Sequence, residues 1–144
     1  MINGVTNSMG LDVLERMVQF SAARHEVIAN NVANLSTPGF QAQDLSVEAF
    51  QGQLADAIDQ RRSGSGDARQ TLQMANTSQV EFLEDGLNVQ PESKGQNILF
   101  HDKNNRSLER TMQDLVKNFM TFQASAQLLR NRFDIINTAI SERV

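Results

Sequence analysis

Cysteine is absent from this 144-residue chain, and aromatic residues make up only 6% of it. Without cysteine the chain forms no disulfide bonds and performs no thiolate chemistry. The sequence therefore does not indicate whether its compartment is oxidising or reducing. Hydrophobic residues make up 40% of the chain. This composition gives one domain a modest core, so an extended shape or a partner is expected rather than one deeply buried core.

Runs of like charge and long apolar runs are also missing, and the net charge is -4. Nucleic-acid-binding proteins concentrate Lys and Arg on one face, so the scattered basic residues argue against a nucleic-acid partner. No stretch approaches the roughly 18 apolar residues of a membrane span. Asp12, Glu15 and Arg16 interrupt the apolar pattern near the N-terminus. We therefore expect neither a Sec-type signal peptide nor direct membrane insertion.

Residues that perform catalysis are few and poorly placed. The chain has two histidines and no HExxH, GxSxG or GKS/T motif. His25 falls on a helical stripe, where a tolerated residue at the edge of a core is a better interpretation than a ligand. His101 stands beside Asp102, but one neighbouring pair is weak evidence for a catalytic base. The sequence therefore predicts no enzyme activity, no cofactor and no metal site.

Both ends of the chain carry apolar residues at alternating spacings of three and four, which predicts amphipathic helices. The C-terminal stripe consists of Leu108, Met112, Leu115, Phe119, Phe122, Ala126, Leu129, Phe133, Ile136 and Ile140. The N-terminal stripe consists of Leu11, Leu14, Val18, Ser21, His25, Ile28, Val32 and Leu35. All of these except Ser21, His25 and Ala126 are predicted helix-packing and subunit-interface residues. The C-terminal helix alone would be about 55 Å long.

The predicted fold class is mainly α, with two long terminal helices packed as an antiparallel coiled-coil pair and a polar middle segment containing a small β-hairpin. Residues 1–40 form the N-terminal helix and its turn, residues 41–106 the middle region, and residues 107–144 the C-terminal helix. Asn7 or Ser8 is the expected cap of the first helix. The middle region should contain a short helix within residues 45–58, a flexible linker near 61–70, the hairpin at 79–90 and an extended piece at 97–101.

Further apolar residues widen both helical faces beyond a two-helix seam. They are Val13, Met17, Phe20 and Val27 near the N-terminus, and Val116, Met120, Leu128, Ile135 and Ala139 near the C-terminus. We expect the main stripes to pair within one subunit and these additional residues to pack against neighbouring subunits. Ser21 and His25 interrupt the N-terminal stripe. Either they form a polar layer that fixes the helix register, or the helix rotates and both face solvent.

The most specific segment is residues 29–40, which read ANNVANLSTPGF. Asn30 and Asn34 lie four apart, so their side-chain amides share the helix face where the last turn leaves carbonyl groups unpaired. Pro38 fixes φ at the first corner of a turn and Gly39 tolerates positive φ at the second, which predicts a type II turn. Phe40 would then anchor the chain that leaves the turn.

This segment resembles the N-terminal signature of the flagellar axial proteins, the family of rod, hook and hook-junction subunits. The matching positions are Asn30, Asn31, Ala33, Asn34, Thr37, Pro38, Gly39 and Phe40. Phe40 stands where many members have Tyr. Residues 24–28, 97–105, 108–112 and 127–129 resemble the proximal rod members of the family, so the resemblance covers both ends and about half of the chain.

The resemblance implies a structural subunit of the bacterial flagellar basal body that polymerises through its terminal helices into the torque-transmitting shaft at the base of the rod. The implied partners are other copies of the chain, a FliE-type adaptor, other proximal rod proteins, the MS ring and the flagellar type III export apparatus. The implied location is the rod in the periplasm, reached without a cleaved signal peptide. Another axial subunit, a non-flagellar helical adaptor and an enzyme remain as alternatives.

Overall fold

The computed structural model describes residues 10–63, 72–83, 86–93 and 108–142. The elements in these ranges are α1 (Leu11–Ala33), β1 (Gln43–Asp44), α2 (Val47–Ser63), β2 (Val80–Phe82), β3 (Leu87–Val89), β4 (Glu92–Ser93) and α3 (Leu108–Ser141). Long terminal helices that pack together and a small hairpin between them confirm the predicted fold class. The expected caps Asn7 and Ser8 and the extended piece at 97–101 lie outside the described residues.

The terminal helices α1 and α3 pack in opposite directions. The Asn118 side-chain amide donates a hydrogen bond to the backbone carbonyl of Ser21 at 2.8 Å. One turn further along α1, Arg24 lies near Asp114, which is one turn earlier in α3. Because an advance along α1 meets an earlier residue of α3, the pair is antiparallel, as predicted.

The contact between α1 and α3 is more polar than the stripes predict. Asn118 and Ser125, seven residues apart, are the buried residues of α3. Leu115, Phe122 and Leu129 flank them and are half-buried. α3 is rotated so that one of its two apolar heptad positions faces α1 while the other faces outward. The expectation that the whole C-terminal stripe pairs with α1 is therefore wrong for the exposed members of the outward position, Met112, Phe119, Phe133 and Ile140. Leu108, at the start of α3, belongs to the other position but is exposed as well.

The hydrophobic core lies on the other side of α1, between that helix and the middle region. The rings of Phe20 in α1 and Phe50 in α2 stack with their centroids 4.0 Å apart. The other buried members of this core are Leu45, Leu54, Ala57, Leu72 and Val80. Val13, Met17 and Val27 pack against it. The expectation that this face of α1 packs against neighbouring subunits is wrong, because α2 and the hairpin cover it within the chain.

The middle region contains two small antiparallel sheets. The predicted hairpin is confirmed as β2 paired with β3, with Val80 opposite Val89. The guanidinium of Arg16 ties it to α1 by donating hydrogen bonds to the carbonyls of Leu83, at 3.0 Å, and Gly86, at 3.3 Å. A second sheet, β1 with β4, was not predicted. The helix expected within 45–58 is present as α2 and extends further, to Ser63, into the predicted linker, while residues 64–70 of that linker lie outside the described residues.

Candidate assembly interface

The Asn-rich segment ends α1 through side-chain hydrogen bonds to its own last turn. The Asn34 amide donates to the Asn30 carbonyl and to the Asn30 side-chain oxygen, each at 2.9 Å. The Asn34 backbone N–H also donates to the Asn30 carbonyl, at 3.1 Å. The backbone N–H of Thr37 donates to the Asn34 carbonyl at 2.9 Å. The bond from Thr37 occupies a carbonyl that the helix end leaves unpaired, whereas the Asn34 amide adds a second bond to a carbonyl that the backbone already uses.

The turn after α1 has the geometry expected of its Pro-Gly corner. The Phe40 backbone N–H donates to the Thr37 carbonyl at 3.2 Å. Gly39 has a φ of 74°, the positive value that a type II turn requires at its third residue. Pro38 and Gly39 are exposed, whereas Phe40 is half-buried. The turn redirects the chain so that β1 can return along α1.

Two polar residues of α1, Arg24 and Asn31, hold β1 against the helix. Arg24 forms a bidentate contact with the Asp44 carboxylate, with N–O distances of 2.8 and 2.7 Å. Asn31 donates to the Gln43 carbonyl at 2.6 Å and accepts from the Gln43 backbone N–H at 3.0 Å. We call these four residues the β1 clamp. The sequence interpretation missed it, although the seven-residue spacing of Arg24 and Asn31 places both on one side of the helix.

The electrostatics of the β1 clamp keep Arg24 charged. Burial is the largest single influence on its pKa and lowers it. The hydrogen bonds to Asp44, together with the negative charges of Asp44, Asp114 and Glu48, outweigh burial and raise the pKa of Arg24 above its usual value. The ion pair is mostly buried, with the Arg24 and Asp44 side chains 11% and 13% exposed. A pair this enclosed fixes geometry more strongly than a surface pair does.

Large apolar side chains are exposed around much of the circumference of α3. Nine large hydrophobic side chains on this helix are between 41% and 63% exposed. We call this set the outer α3 surface; its members are Leu108, Met112, Val116, Phe119, Met120, Leu128, Phe133, Ile135 and Ile140. Single exposed apolar residues are ordinary, but this many on one helix are typical of an interaction site.

An apolar groove lies beside this surface, where α3 meets α1. It is lined by Ala22, His25, Glu26, Phe119 and Phe122, and its volume is about 320 Å³. A cavity of about 150 Å³ accommodates benzene, so this α1–α3 groove is large enough for one aromatic side chain. Its two phenylalanine rings supply apolar walls, and Glu26 supplies a carboxylate.

The remaining predicted interface residues are distributed along the helix pair. Leu11 and Ile28 are buried. The half-buried members are Leu14, Val18, Val32, Leu35, Leu115, Phe122, Leu129 and Ile136. Ser21 is buried and its hydroxyl donates to the Met17 carbonyl at 2.7 Å, whereas His25 is exposed. Neither interpretation of the polar pair is therefore right for both residues.

The described part of the chain contains neither a metal-ion cluster nor a helix that could span a membrane. Among residues 10–63, 72–83, 86–93 and 108–142, no group of three or more His, Asp or Glu side chains could hold a metal ion. No helix in the same ranges is long and apolar enough to cross a membrane. His101 and Asp102 lie outside them.

Comparison with known proteins gives one consistent family. A family model described as flagella basal body rod protein matches residues 19–41, which contain the two α1 residues of the β1 clamp and the whole Asn-rich turn. The flagellar basal body rod protein FlgB of Borrelia hermsii is 29% identical over 136 residues, covering 92% of this chain and 96% of that protein. FlgB of Bacillus subtilis strain 168 is 23% identical over 128 residues, covering 89% and 90%.

A third relative matches over a shorter segment with higher identity. FlgB of Yersinia enterocolitica is 39% identical over 64 residues, which cover 39% of this chain and 44% of that protein. The first two matches cover about nine tenths of this chain, and the family model falls on the segment that contains the Asn-rich turn. The family model and the curated relatives agree, and the chain is similar over most of its length to FlgB, a structural subunit of the flagellar basal body rod.

Proposed function

We propose that this chain, a structural subunit of the flagellar basal-body rod, polymerises through its terminal helices to build the torque-transmitting shaft at the rod base. The observation that carries the proposal is the outer α3 surface, nine large apolar side chains left exposed on one long helix. A rod needs contacts that repeat from subunit to subunit without closing, and a long helix offers such contacts along its whole length.

The size of this surface is appropriate for subunit contacts. Full burial of a large apolar side chain contributes about 1.5 to 3 kcal/mol, and these nine side chains are each about half exposed. Covering them would therefore contribute roughly 10 kcal/mol before the cost of ordering the partners is subtracted. The family is one of structural proteins and not of enzymes.

The proposed partners follow from the similarity to FlgB. They are other copies of the chain, a FliE-type adaptor, other proximal rod proteins and the MS ring, with delivery through the flagellar type III export apparatus. The chain would act in the part of the rod that crosses the periplasm and would arrive there without a cleaved signal peptide. Residues 1–40 and 107–144 would form the assembling part, and the segment from Asn30 to Phe40 would fix how the middle region leaves it.

The proposal is tested by complementing a strain from which the gene has been deleted. The deletion should abolish swimming and hook formation, and the wild-type chain should restore both. Met120→Glu places a charge on the outer α3 surface and should fail to restore swimming. Met120→Leu, which keeps an apolar side chain of similar size at the same position, is the matched control and should restore it.

The two variants are also compared by circular dichroism, since position 120 is exposed and neither substitution should change the helix content. A deletion strain that still builds hooks would contradict the rod function itself. Normal swimming with Met120→Glu would contradict assembly through α3.

A further inference from the structure

α3 extends well beyond the start of α1. Asn118 contacts Ser21, and from that contact α3 continues 23 residues to Ser141 while α1 runs back only 10 residues to Leu11. At 1.5 Å per residue, about 20 Å of α3 lies past the first residue of α1. This overhang begins near Leu128.

The overhang combines exposed apolar residues with positive charge. Phe133 and Ile140 are both about half exposed and lie seven residues apart, so they share one side of α3. Arg130 is exposed and lies three residues before Phe133, on a neighbouring part of the same side. The overhang therefore presents an aromatic ring with a guanidinium beside it.

The α1–α3 groove presents the complementary features. It has room for one aromatic side chain and is walled by Phe119 and Phe122, while Glu26 at its edge carries the opposite charge to Arg130. Phe119 and Phe133 are two heptads apart on α3, so groove and overhang lie on the same side of that helix, about 21 Å from each other.

The geometry points to a specific contact between copies of this chain: the α1–α3 groove of one copy receives Phe133 from the overhang of the next, with Arg130 of the incoming copy beside Glu26. This inference rests on the proposed rod function and names the partner surface. Groove and overhang are different surfaces of each copy, so the contact is heterologous and repeats from copy to copy in an open series.

The contact would cover the exposed aromatic ring of the overhang. Phe133 is 49% exposed, and a fully buried aromatic side chain covers about 150 to 250 Å². Insertion of this ring would therefore remove roughly 100 Å² of aromatic surface from water, besides the groove walls that it covers. A second copy supplies this ring and the opposite charge together.

The test uses disulfide cross-linking in the deletion strain, because the chain has no cysteine of its own. Two differently tagged copies are co-expressed, one with His25→Cys in the groove and one with Asn137→Cys, one turn beyond Phe133 on the same side. Mild oxidation of intact cells should join the two tags. Asn131→Cys, on the opposite side of the helix from Phe133, replaces Asn137→Cys in the control and should not cross-link.

Three further results are expected if the contact is correct. Adding Phe133→Ala to the Asn137→Cys copy should lower the yield of the mixed disulfide about tenfold, as for an interface anchor. Glu26→Lys in the groove copy should also lower the yield, and Arg130→Glu in the overhang copy should then restore it. A single chain carrying both cysteines should give a ladder of trimers and larger species.

The outcomes separate this inference from the proposed function. A deletion strain that swims refutes the rod function. If the deletion strain does not swim, the wild-type chain restores swimming and the mixed disulfide stays at the Asn131→Cys level, only the groove contact is refuted. A product that stops at a dimer, or a His25→Cys cross-link to a different protein, overturns the inference as well.

Discussion

The β1 clamp should contribute more to the free energy of unfolding than the more exposed ion pairs of the same chain. Arg24→Ala leaves the mostly buried Asp44 carboxylate without its guanidinium partner. Removing one member of a buried pair costs about 3 to 5 kcal/mol, and the residual exposure of both side chains places this pair at the low end, about 3 kcal/mol. For a chain of this size, that loss should lower the melting temperature by about 10 °C.

The assay is urea unfolding followed by circular dichroism for Arg24→Ala, Asp44→Ala and the double variant. Each single variant should lose about 3 kcal/mol, and the double variant should lose about 2 kcal/mol less than the sum of the two. Because the pKa of Arg24 is raised, its contribution is fully present below its usual pKa and is lost only at higher, strongly alkaline pH. The loss in Arg24→Ala should therefore be the same at pH 6 and pH 8.

Two other ion pairs serve as graded controls. Arg62 and Asp59 are 77% and 76% exposed with an N–O distance of 3.8 Å, so Arg62→Ala should cost less than about 0.5 kcal/mol. The side chains of Arg61 and Asp12 are each 20% exposed, with an N–O distance of 2.7 Å, and Arg61→Ala should cost about 1 kcal/mol. The reasoning about the β1 clamp is wrong if Arg24→Ala is no more destabilising than Arg62→Ala. It is also wrong if the double variant loses the full sum of the two single losses.

Three further substitutions test other parts of the fold by the same unfolding assay. Phe50→Ala removes a buried ring stacked on α1 and should cost about 3 to 5 kcal/mol, whereas the exposed Phe133→Ala should cost the isolated chain less than about 1 kcal/mol; equal losses would contradict the core described here. Asn31→Leu removes both hydrogen bonds to the β1 backbone and should cost about 2 kcal/mol, and an unchanged unfolding midpoint would refute this role. Gly39→Ala should destabilise the fold by about 1 kcal/mol because the φ of Gly39 is positive, whereas Gly52→Ala within α2 should stabilise it by about 0.5 to 1 kcal/mol. Neither added methyl group meets an atom within 4 Å, so a difference in sign would come from backbone conformation and not from a steric clash.

The elements predicted correctly are those whose signals are local. Alternating spacings of three and four predicted α1 and α3, a period of two predicted the hairpin, and Pro38-Gly39 predicted the turn. Each signal reports backbone conformation within a few residues, and each agrees with the structure.

The sequence did not predict how α3 is rotated about its own axis, or which residues distant in sequence contact one another. An apolar heptad stripe has two positions, and hydropathy alone does not distinguish the one that faces α1 from the one that faces outward. The structure makes that choice through Asn118 and Ser125, polar residues that hydropathy assigns to solvent. The β1 clamp was missed for the same reason, since Arg24 and Asn31 become inward-facing only when the middle region packs against α1.

The polar and apolar residues of α3 have different roles. Its buried polar residues contact α1, and its exposed apolar residues would contact other subunits. An apolar contact between helices tolerates a shift of one heptad, because one leucine replaces another. Asn118 reaches the backbone carbonyl of α1 at the small Ser21, and a shift of one heptad would place it against the larger Leu14 or Ile28 instead. A polar contact with α1 thus fixes how far α3 overhangs. In a polymer built through the outer α3 surface, that overhang sets the spacing between successive subunits, so the polar residues inside the subunit would determine the geometry of the apolar contacts outside it.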